Sequence, residues 1–241
     1  MLPPIDWSRP WLAPLRADGE AIAARVAGGA SVAEALDSAP STPASDGTVP
    51  PRFVPPSACP RGEAYEAFIA RTGSVPTRDN LHDFFNALVW RAQPQLKWRM
   101  NRLQAAAIAR DGVGARRGPL RDALTLFDEN GAMLDAPLPL VQALAARDWA
   151  GLFVQQRAVW AQARLVIVGH ALLEQLATAP RKGLTAHVLP ADPRGLDEAG
   201  WAAKPFCPLP VLGVPGWWDA NTEPAFYDDA AVFRPPRRQA P

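Results

Sequence analysis

The sequence predicts an α+β fold: a mainly α-helical single domain with a small β-hairpin or sheet and Pro-rich terminal segments. Apolar residues recur at helical spacing through the middle of the chain, and a few short apolar runs beside turn residues indicate strands. The 27 prolines concentrate towards both ends. A chain of 241 residues that is 48% hydrophobic can bury a full core. We expect a Pro/Ala-rich N-terminal arm with short helices at 1–50 and one globular domain at 51–241.

Helices are predicted from apolar periodicity and from their end signals. In the arm, Ser31 and Glu34 form a capping box that opens a short helix. The helix after Thr77 carries Leu81, Phe84 and Leu88 on one face, the spacing of a buried stripe. The helices expected in the globular domain cover 62–71, 79–92, 95–110, 138–146 and 149–163.

Strands are predicted in the second half of the chain. Residues 123–127 and 132–134 are expected to form a hairpin, because Asn130-Gly131 between them tolerates a tight turn. Residues 184–189 look like a strand, and 231–233 could form another. The apolar run 164–168 fits either a buried strand or the middle of a helix that continues to Leu176, and periodicity alone does not decide between them.

Composition and the absence of long apolar runs indicate the cellular location and exclude some classes of partner. The net charge is +1 and the isoelectric point is about 7.9, which argues against a nucleic-acid binder. The N-terminus lacks the pattern of a secretory signal, and the longest apolar run, Leu165–Gly169, is too short for a membrane span. Cys59 and Cys207 do not make a disulfide framework. We expect a cytoplasmic protein with no membrane partner.

Four strings in the chain resemble one bacterial family. They are Thr77-Arg-Asp-Asn-Leu-His-Asp-Phe-Phe-Asn-Ala-Leu-Val-Trp90, Leu124-Thr-Leu-Phe-Asp-Glu-Asn-Gly131, Gly169-His-Ala-Leu-Leu-Glu174 and Pro208-Leu-Pro-Val-Leu-Gly-Val-Pro-Gly-Trp-Trp218. The family is DUF3025, a domain of unknown function, and the resemblance spans roughly residues 50–236. It implies no activity, so every functional expectation depends on the residues themselves.

The helix that contains His82 carries polar residues beside its apolar stripe. Asp79, His82 and Asn86 fall on one side at i, i+3 and i+7, and Asp83 is one step round the helix. A carboxylate near a histidine can fix its tautomer or accept a proton. Asp79 and Asp83 are therefore candidate catalytic carboxylates, although Asp79 near a helix N-terminus also fits an ordinary capping role.

The two other histidines also lie among elements of the expected core. His170 and Glu174 share one side of a predicted helix at i and i+4, a spacing that allows both to bind one metal ion. Polar pairs at this spacing also occur on ordinary helix surfaces. His187 lies on a predicted strand between Ala186 and Val188 and faces away from both, so it points outwards or into a cleft.

Together these residues predict a metal site, with zinc as the first choice among divalent ions. The expected ligands are His82, His170, Glu174 and His187, a nitrogen and oxygen set typical of zinc. The leading functional hypothesis is a metal-site, hydrolase-like enzyme that acts on a small anionic substrate, and it requires the three histidines to converge. The chain has no HExxH or CxxC motif to support it.

A basic segment of the chain supports an alternative to the metal-site enzyme. Eight Lys and Arg residues lie between Phe84 and Arg121, against the single acid Asp111. Within it, Arg116 and Arg117 are adjacent in a Gly-rich loop and are candidate substrate-binding residues for an anionic ligand. The same segment could instead be the contact surface of a non-enzymatic adaptor, or simply a solvated helix face.

Overall fold

The computed structural model describes residues 2–113, 118–190 and 192–235. The helices within these ranges are α1 (Arg16–Ala27), α2 (Val32–Asp37), α3 (Tyr65–Thr72), α4 (Leu81–Ala92), α5 (Pro94–Asp111), α6 (Pro119–Asn130), α7 (Leu138–Ala146), α8 (His170–Thr178) and α9 (Glu198–Ala202). The strands are β1 (Arg52–Val54), β2 (Ser74–Pro76), β3 (Gly131–Asp135), β4 (Arg164–Ile167), β5 (Thr185–Leu189) and β6 (Cys207–Pro210). Helices therefore dominate, and the expected α+β class is confirmed.

The strands form two small sheets. Strands β1 and β2 pair in parallel, and the second sheet has the order β4-β3-β5-β6. In that sheet β3 is antiparallel to β4 and parallel to β5, and β5 is antiparallel to β6. The ambiguous run at 164–168 is thus a strand. Its Val166 and Ile167 are buried.

The predicted hairpin of 123–127 with 132–134 is wrong. Residues 123–127 lie within helix α6, which begins at Pro119 and buries Leu120, Ala123, Leu124 and Phe127. These four residues recur at i, i+3, i+4 and i+7, so their periodicity is helical and not that of a strand. The residues at 132–134 do form a strand, since they lie within β3. However, β3 pairs with β4 and β5, which come later in the chain, and not with residues 123–127.

Two other predicted elements are also wrong in type. The expected helix at 149–163 is a π-helical turn at Gly151–Gln155 followed by a 3-10 helix at Arg157–Gln162. The indole of Trp160 donates to the backbone oxygen of Leu152 at 2.8 Å, an acceptor that a regular helix would use itself. The possible strand at 231–233 is a turn.

The N-terminal arm packs into the same apolar core as the rest of the chain. Trp11, Leu12, Ile22 and Leu36 belong to one buried cluster with residues of α4, α6, α8 and the four-stranded sheet. The capping box predicted at the start of α2 is present, with Ser31 and Glu34 bonded reciprocally. No helix in the described ranges is long and apolar enough to cross a membrane.

Candidate functional site

His82 and His170 meet where the beginnings of two helices come together. His82 lies in the first turn of α4, which is capped by Asn80 through a 2.8 Å bond from the backbone nitrogen of Asp83. His170 is the first residue of α8, directly after Gly169. A Cβ on Gly169 would stand 2.5 Å from the backbone of Asn130, so only glycine lets α8 begin so close to the end of α6.

The two imidazole rings present the same kind of nitrogen to each other. Nε2 of His82 lies 2.9 Å from Nε2 of His170, and the ring centroids are 4.4 Å apart at 78°. A carboxylate oxygen of Glu129, near the end of α6, lies 3.5 Å from Nε2 of His170. One ligand atom from each of these three residues falls within 4.8 Å of the others. We call His82, Glu129 and His170 the histidine–glutamate cluster.

Each histidine also faces a carboxylate through its other ring nitrogen. Nδ1 of His82 is 3.1 Å from Oε2 of Glu174, and Nδ1 of His170 is 3.8 Å from Oδ2 of Asp128. The Glu174 carboxylate favours a proton on Nδ1 of His82, which leaves a lone pair on its Nε2. Nδ1 of His170 is buried and has no hydrogen-bond partner among the described residues, and Asp128 lies nearby at ion-pair distance. Burial lowers the pKa of His170 to about 4, against the opposing effect of Asp128, so this ring is neutral at physiological pH.

A cavity of about 400 Å³ lies beside the cluster and is lined by α3, α4, α5 and α6. Inside it, the buried ammonium of Lys97 donates to Asn86 at 2.8 Å and pairs with Asp128. Burial acts to raise the pKa of Asp128, but the charge of Lys97 and the nearby His170 hold it below its usual value. Asp128 is therefore ionised, and it connects the cavity lysine to the cluster.

Two more polar side chains of α5 line the same cavity. Asn101 donates through Nδ2 to the backbone oxygen of Glu66 at 3.0 Å. Its Oδ1, like Oε1 of Gln104, is buried and has no hydrogen-bond partner among the described residues. Unpartnered buried polar atoms are rare in native proteins and usually have an explanation in function or in bound solvent.

The expected site residues fall into different places. Glu174 joins the site, but as the hydrogen-bond partner of His82. Asp83 also lines the cavity, where it is held by Arg78 through Oδ1 at 2.8 Å and Oδ2 at 3.1 Å. Asp79 accepts from the backbone nitrogen of Val32 at 2.7 Å and so anchors the start of α2.

The remaining expected residues do not join the cluster. His187 lies on β5, where its ring packs 6.0 Å from that of Phe206 between centroids, and burial lowers its pKa. Arg116 and Arg117 lie outside the described residues. In the basic segment, Arg91, Lys97 and Arg121 are buried. Arg91 and Lys97 form ion pairs with Asp18 and Asp128, so these charges are not available on the protein surface.

Sequence reasoning missed the residues that complete the site. Asp128 and Glu129 directly precede the predicted turn at Asn130-Gly131, whereas in the structure they lie in the last turn of helix α6, next to His170. Lys97, Asn101 and Gln104 recur at i, i+4 and i+7, so they share the side of α5 that lines the cavity. Three polar residues at the spacing of a buried stripe were the available signal for a polar cavity.

The fold and the site define a mainly helical α+β protein with a histidine–carboxylate cluster beside a cavity. The chain belongs to the family described as Protein of unknown function (DUF3025), whose model matches residues 51–197 and 191–237. No curated protein and no solved structure matches the chain. The family match confirms the resemblance found in the sequence, and it covers every residue of the cluster.

Proposed function

We propose that this protein is a metal-dependent, hydrolase-like enzyme that acts on a small molecule, with His82, His170 and Glu129 as the metal ligands. The observation that carries the proposal is the 2.9 Å approach of the two Nε2 atoms. In this proposal Nδ1 of His82 carries a proton that it donates to Glu174, Nδ1 of His170 carries a proton that faces Asp128, and the two Nε2 atoms present lone pairs to each other. Lone pairs at this distance repel unless a proton or a cation lies between them, and a cation also suits the nearby Glu129.

The donor set favours zinc. Two imidazole nitrogens and one carboxylate oxygen are a set that catalytic zinc sites use, with a further position open to water or substrate. Ligand atoms on one tetrahedral zinc ion stand about 3.3 Å apart when the bonds are ~2.0–2.1 Å long. The separations of 2.9 and 3.5 Å around Nε2 of His170 bracket this value.

The surrounding carboxylates support the same assignment. Glu174 and Asp128 would hold the His82 and His170 rings with Nε2 turned towards the ion, as carboxylates behind metal-bound histidines do. A bound zinc ion would lower the pKa of a coordinated water towards ~7 and so supply a nucleophile at neutral pH. In this proposal Asp79 and Asp83 organise the backbone around the site, since Asp79 accepts from the first residue of α2 and Asp83 accepts from the backbone and side chain of Arg78.

The cavity supports an enzyme over an adaptor. Its volume of about 400 Å³ suits a small molecule, and it adjoins the cluster. An adaptor that used the basic segment would be expected to leave its cations free for a partner, whereas Arg91, Lys97 and Arg121 are buried. We also propose a location in the bacterial cytoplasm, which the free thiols of Cys59 and Cys207 favour.

The direct test is metal content by mass spectrometry on untagged protein purified without chelators. We expect near-stoichiometric zinc in the wild type and in His187→Ala, and a loss of most of it in His82→Ala and Glu129→Gln. His187→Ala is a matched control, because it removes a histidine that lies outside the cluster. Absence of metal from the wild type, or an equal loss in all three variants, would contradict the proposal.

Circular dichroism on the same samples separates loss of metal from loss of fold. His82 is about one-third exposed, so its truncation should leave the helices intact. If His82→Ala retained native spectra and full zinc content, His82 would not be a ligand.

A further inference from the structure

Tyr65, the first residue of α3, lines the cavity and takes no part in the proposed metal site. Its hydroxyl oxygen accepts a hydrogen bond from Nδ2 of Asn86 at 3.2 Å. The direction of that bond is fixed, because Oδ1 of Asn86 accepts at 2.8 Å from the ammonium of Lys97, which can only donate. The amide of Asn86 therefore cannot turn round to accept the proton of Tyr65.

The hydroxyl proton of Tyr65 is consequently available to another acceptor. In the parts of the chain that the structure describes, this hydroxyl donates to no other residue, and Tyr65 is 38% exposed. Burial of its hydroxyl end, together with the negative charges of Asp128 and Asp83, raises the pKa of Tyr65. The group therefore stays protonated and able to donate at physiological pH.

The bond to Asn86 also places the hydroxyl close to the histidine–glutamate cluster. Asn86 follows His82 by four residues on α4, so the two side chains lie on the same side of the helix, with their Cβ atoms ~5–6 Å apart. Both residues line the cavity. A small group bound between the cluster and Tyr65 can therefore be held from both ends.

We infer that the Tyr65 hydroxyl donates a hydrogen bond to the carbonyl oxygen of the substrate, which is an acyl compound such as an ester or an amide. One neutral donor beside one metal ion matches the single oxygen that becomes charged in acyl transfer, whereas phosphoryl transfer spreads charge over three oxygens. This inference names the substrate class of the proposed metal enzyme, and so it rests on the proposed function.

The role of Tyr65 follows from the movement of electrons in acyl transfer. When hydroxide adds to the acyl carbon, one electron pair of the C=O bond moves onto the oxygen. That pair returns as the bond to the leaving group breaks, and the leaving group departs with the electrons of the broken bond. Tyr65 keeps its proton throughout and stabilises the charged oxygen, as the donors of an oxyanion hole do.

The test uses full-length, zinc-loaded protein and para-nitrophenyl acetate as an acyl probe. Tyr65→Phe removes only the hydroxyl and keeps the ring. The matched control is Tyr227→Phe, at the other of the 2 tyrosines, whose hydroxyl donates to the backbone oxygen of Gly213 at 2.9 Å and does not line the cavity. Circular dichroism and zinc content of each variant exclude a loss of fold or of metal.

We expect Tyr65→Phe to lower kcat by about 100-fold with little change in KM, the loss typical of one missing oxyanion donor. Tyr227→Phe should retain the wild-type rate. The inference is overturned by equal rates in Tyr65→Phe and the wild type, by an effect on KM alone, or by the same loss in both variants. Zinc-loaded wild type that hydrolyses the ester no faster than zinc-free protein would overturn it too.

A second measurement follows the hydrogen bond without turnover. Protein isotope-labelled at the tyrosine Cζ atoms is observed by NMR while acetate, which presents the same kind of acceptor oxygen, is added with and without zinc. We expect acetate to shift the Tyr65 signal and not that of Tyr227. A shift in protein that cannot hold zinc would contradict the metal-dependent function and retain the donor. Bound zinc without a shift would contradict only the inference.

Discussion

Nε2 of His82 lies 2.9 Å from Nε2 of His170, although 88 residues separate the two in the chain. The contact depends on α4 packing against α8 and on α8 beginning beside the end of α6. Each ring is backed by a carboxylate, Glu174 behind His82 and Asp128 behind His170. The arrangement therefore has two levels: an inner set of side chains that binds the ion in the proposed function, and an outer set of carboxylates behind the two rings.

The outer carboxylate Glu174 is the first target. Glu174→Gln keeps the shape of the side chain but weakens the acceptor that favours a proton on Nδ1 of His82. We expect zinc affinity to fall by about 10- to 100-fold with native circular dichroism, as for other carboxylates behind metal-bound histidines. Competition with a fluorescent zinc chelator measures the affinity. The exposed Glu20→Gln on α1 is the control, and an equal effect there would refute the orienting role.

The close approach at Gly169 provides a second prediction. Gly169→Ala places a Cβ 2.5 Å from the Asn130 backbone and must push α8 away from α6. We expect destabilisation of ~1–3 kcal/mol, the range for overpacking, together with loss of zinc because His170 moves away from Glu129. Urea unfolding and metal content measure the two effects. Gly195→Ala, with nothing within 4 Å of its added Cβ, should change neither.

The buried pair of Lys97 and Asp128 should determine part of the acid stability. Lys97→Met leaves a largely buried carboxylate without its counter-charge, which we expect to cost ~3 kcal/mol. The double variant Lys97→Met with Asp128→Asn should recover much of that loss, because no unpaired charge remains. Urea unfolding at neutral pH compares the wild type, the single variants Lys97→Met and Asp128→Asn, and the double variant. Full additivity of the two single changes would show that the residues do not interact.

The pH dependence of the same proteins follows from the lowered pKa of Asp128. In the wild type its contribution to stability is complete above the unfolded pKa of ~3.8 and disappears as pH falls through the lower folded pKa. In Lys97→Met the positive charge that offsets the effect of burial on Asp128 is absent, so the pKa of Asp128 in the folded protein should rise. The variant should therefore lose less stability than the wild type on acidification. Unfolding measured from about pH 7 to about pH 3 tests this sign. A steeper acid loss in the variant would contradict it.

The N-terminal arm is expected to be required for folding, although the family match begins at residue 51. Leu12 is fully buried, and Arg91 of α4 reaches back to Asp18 at 2.9 Å and to the backbone oxygen of Leu36. Leu12→Ala should cost ~2–5 kcal/mol, the range for a buried leucine. Thermal unfolding measures this against Leu138→Ala, whose leucine is 65% exposed and should matter little.

A chain that starts at residue 51 tests the same point more severely. We expect it to be unfolded or aggregated, since it would expose the core surface that Trp11, Leu12 and Ile22 cover. Native-like unfolding of that shortened chain would instead support a separable arm and a self-sufficient domain at 51–241.

The sequence by itself determined the helical class, most helix positions and three of the side chains that meet at the candidate site. Helical periodicity and caps are local properties, so α2, α3, α4, α5 and α7 could be predicted within a few residues. The prediction at α6 was wrong because a run of β-prone residues beside Asn-Gly resembles a hairpin locally, although Leu120, Ala123, Leu124 and Phe127 follow helical spacing. His82, His170 and Glu174 could be singled out because few side chains bind metals or move protons near neutral pH.

Only the tertiary structure decided which of these residues meet. His187 has the same chemistry as His82, but the pairing of β5 with β3 places it beside Phe206 and outside the cluster. Glu129 enters because Gly169 lets two backbones approach, and Glu174 becomes the partner of His82 because α4 packs on α8. Such contacts depend on long-range packing of apolar faces, whose geometry one sequence does not contain as a local pattern. The physical reason is that side-chain type is encoded residue by residue, whereas distance between side chains is a property of the whole folded core.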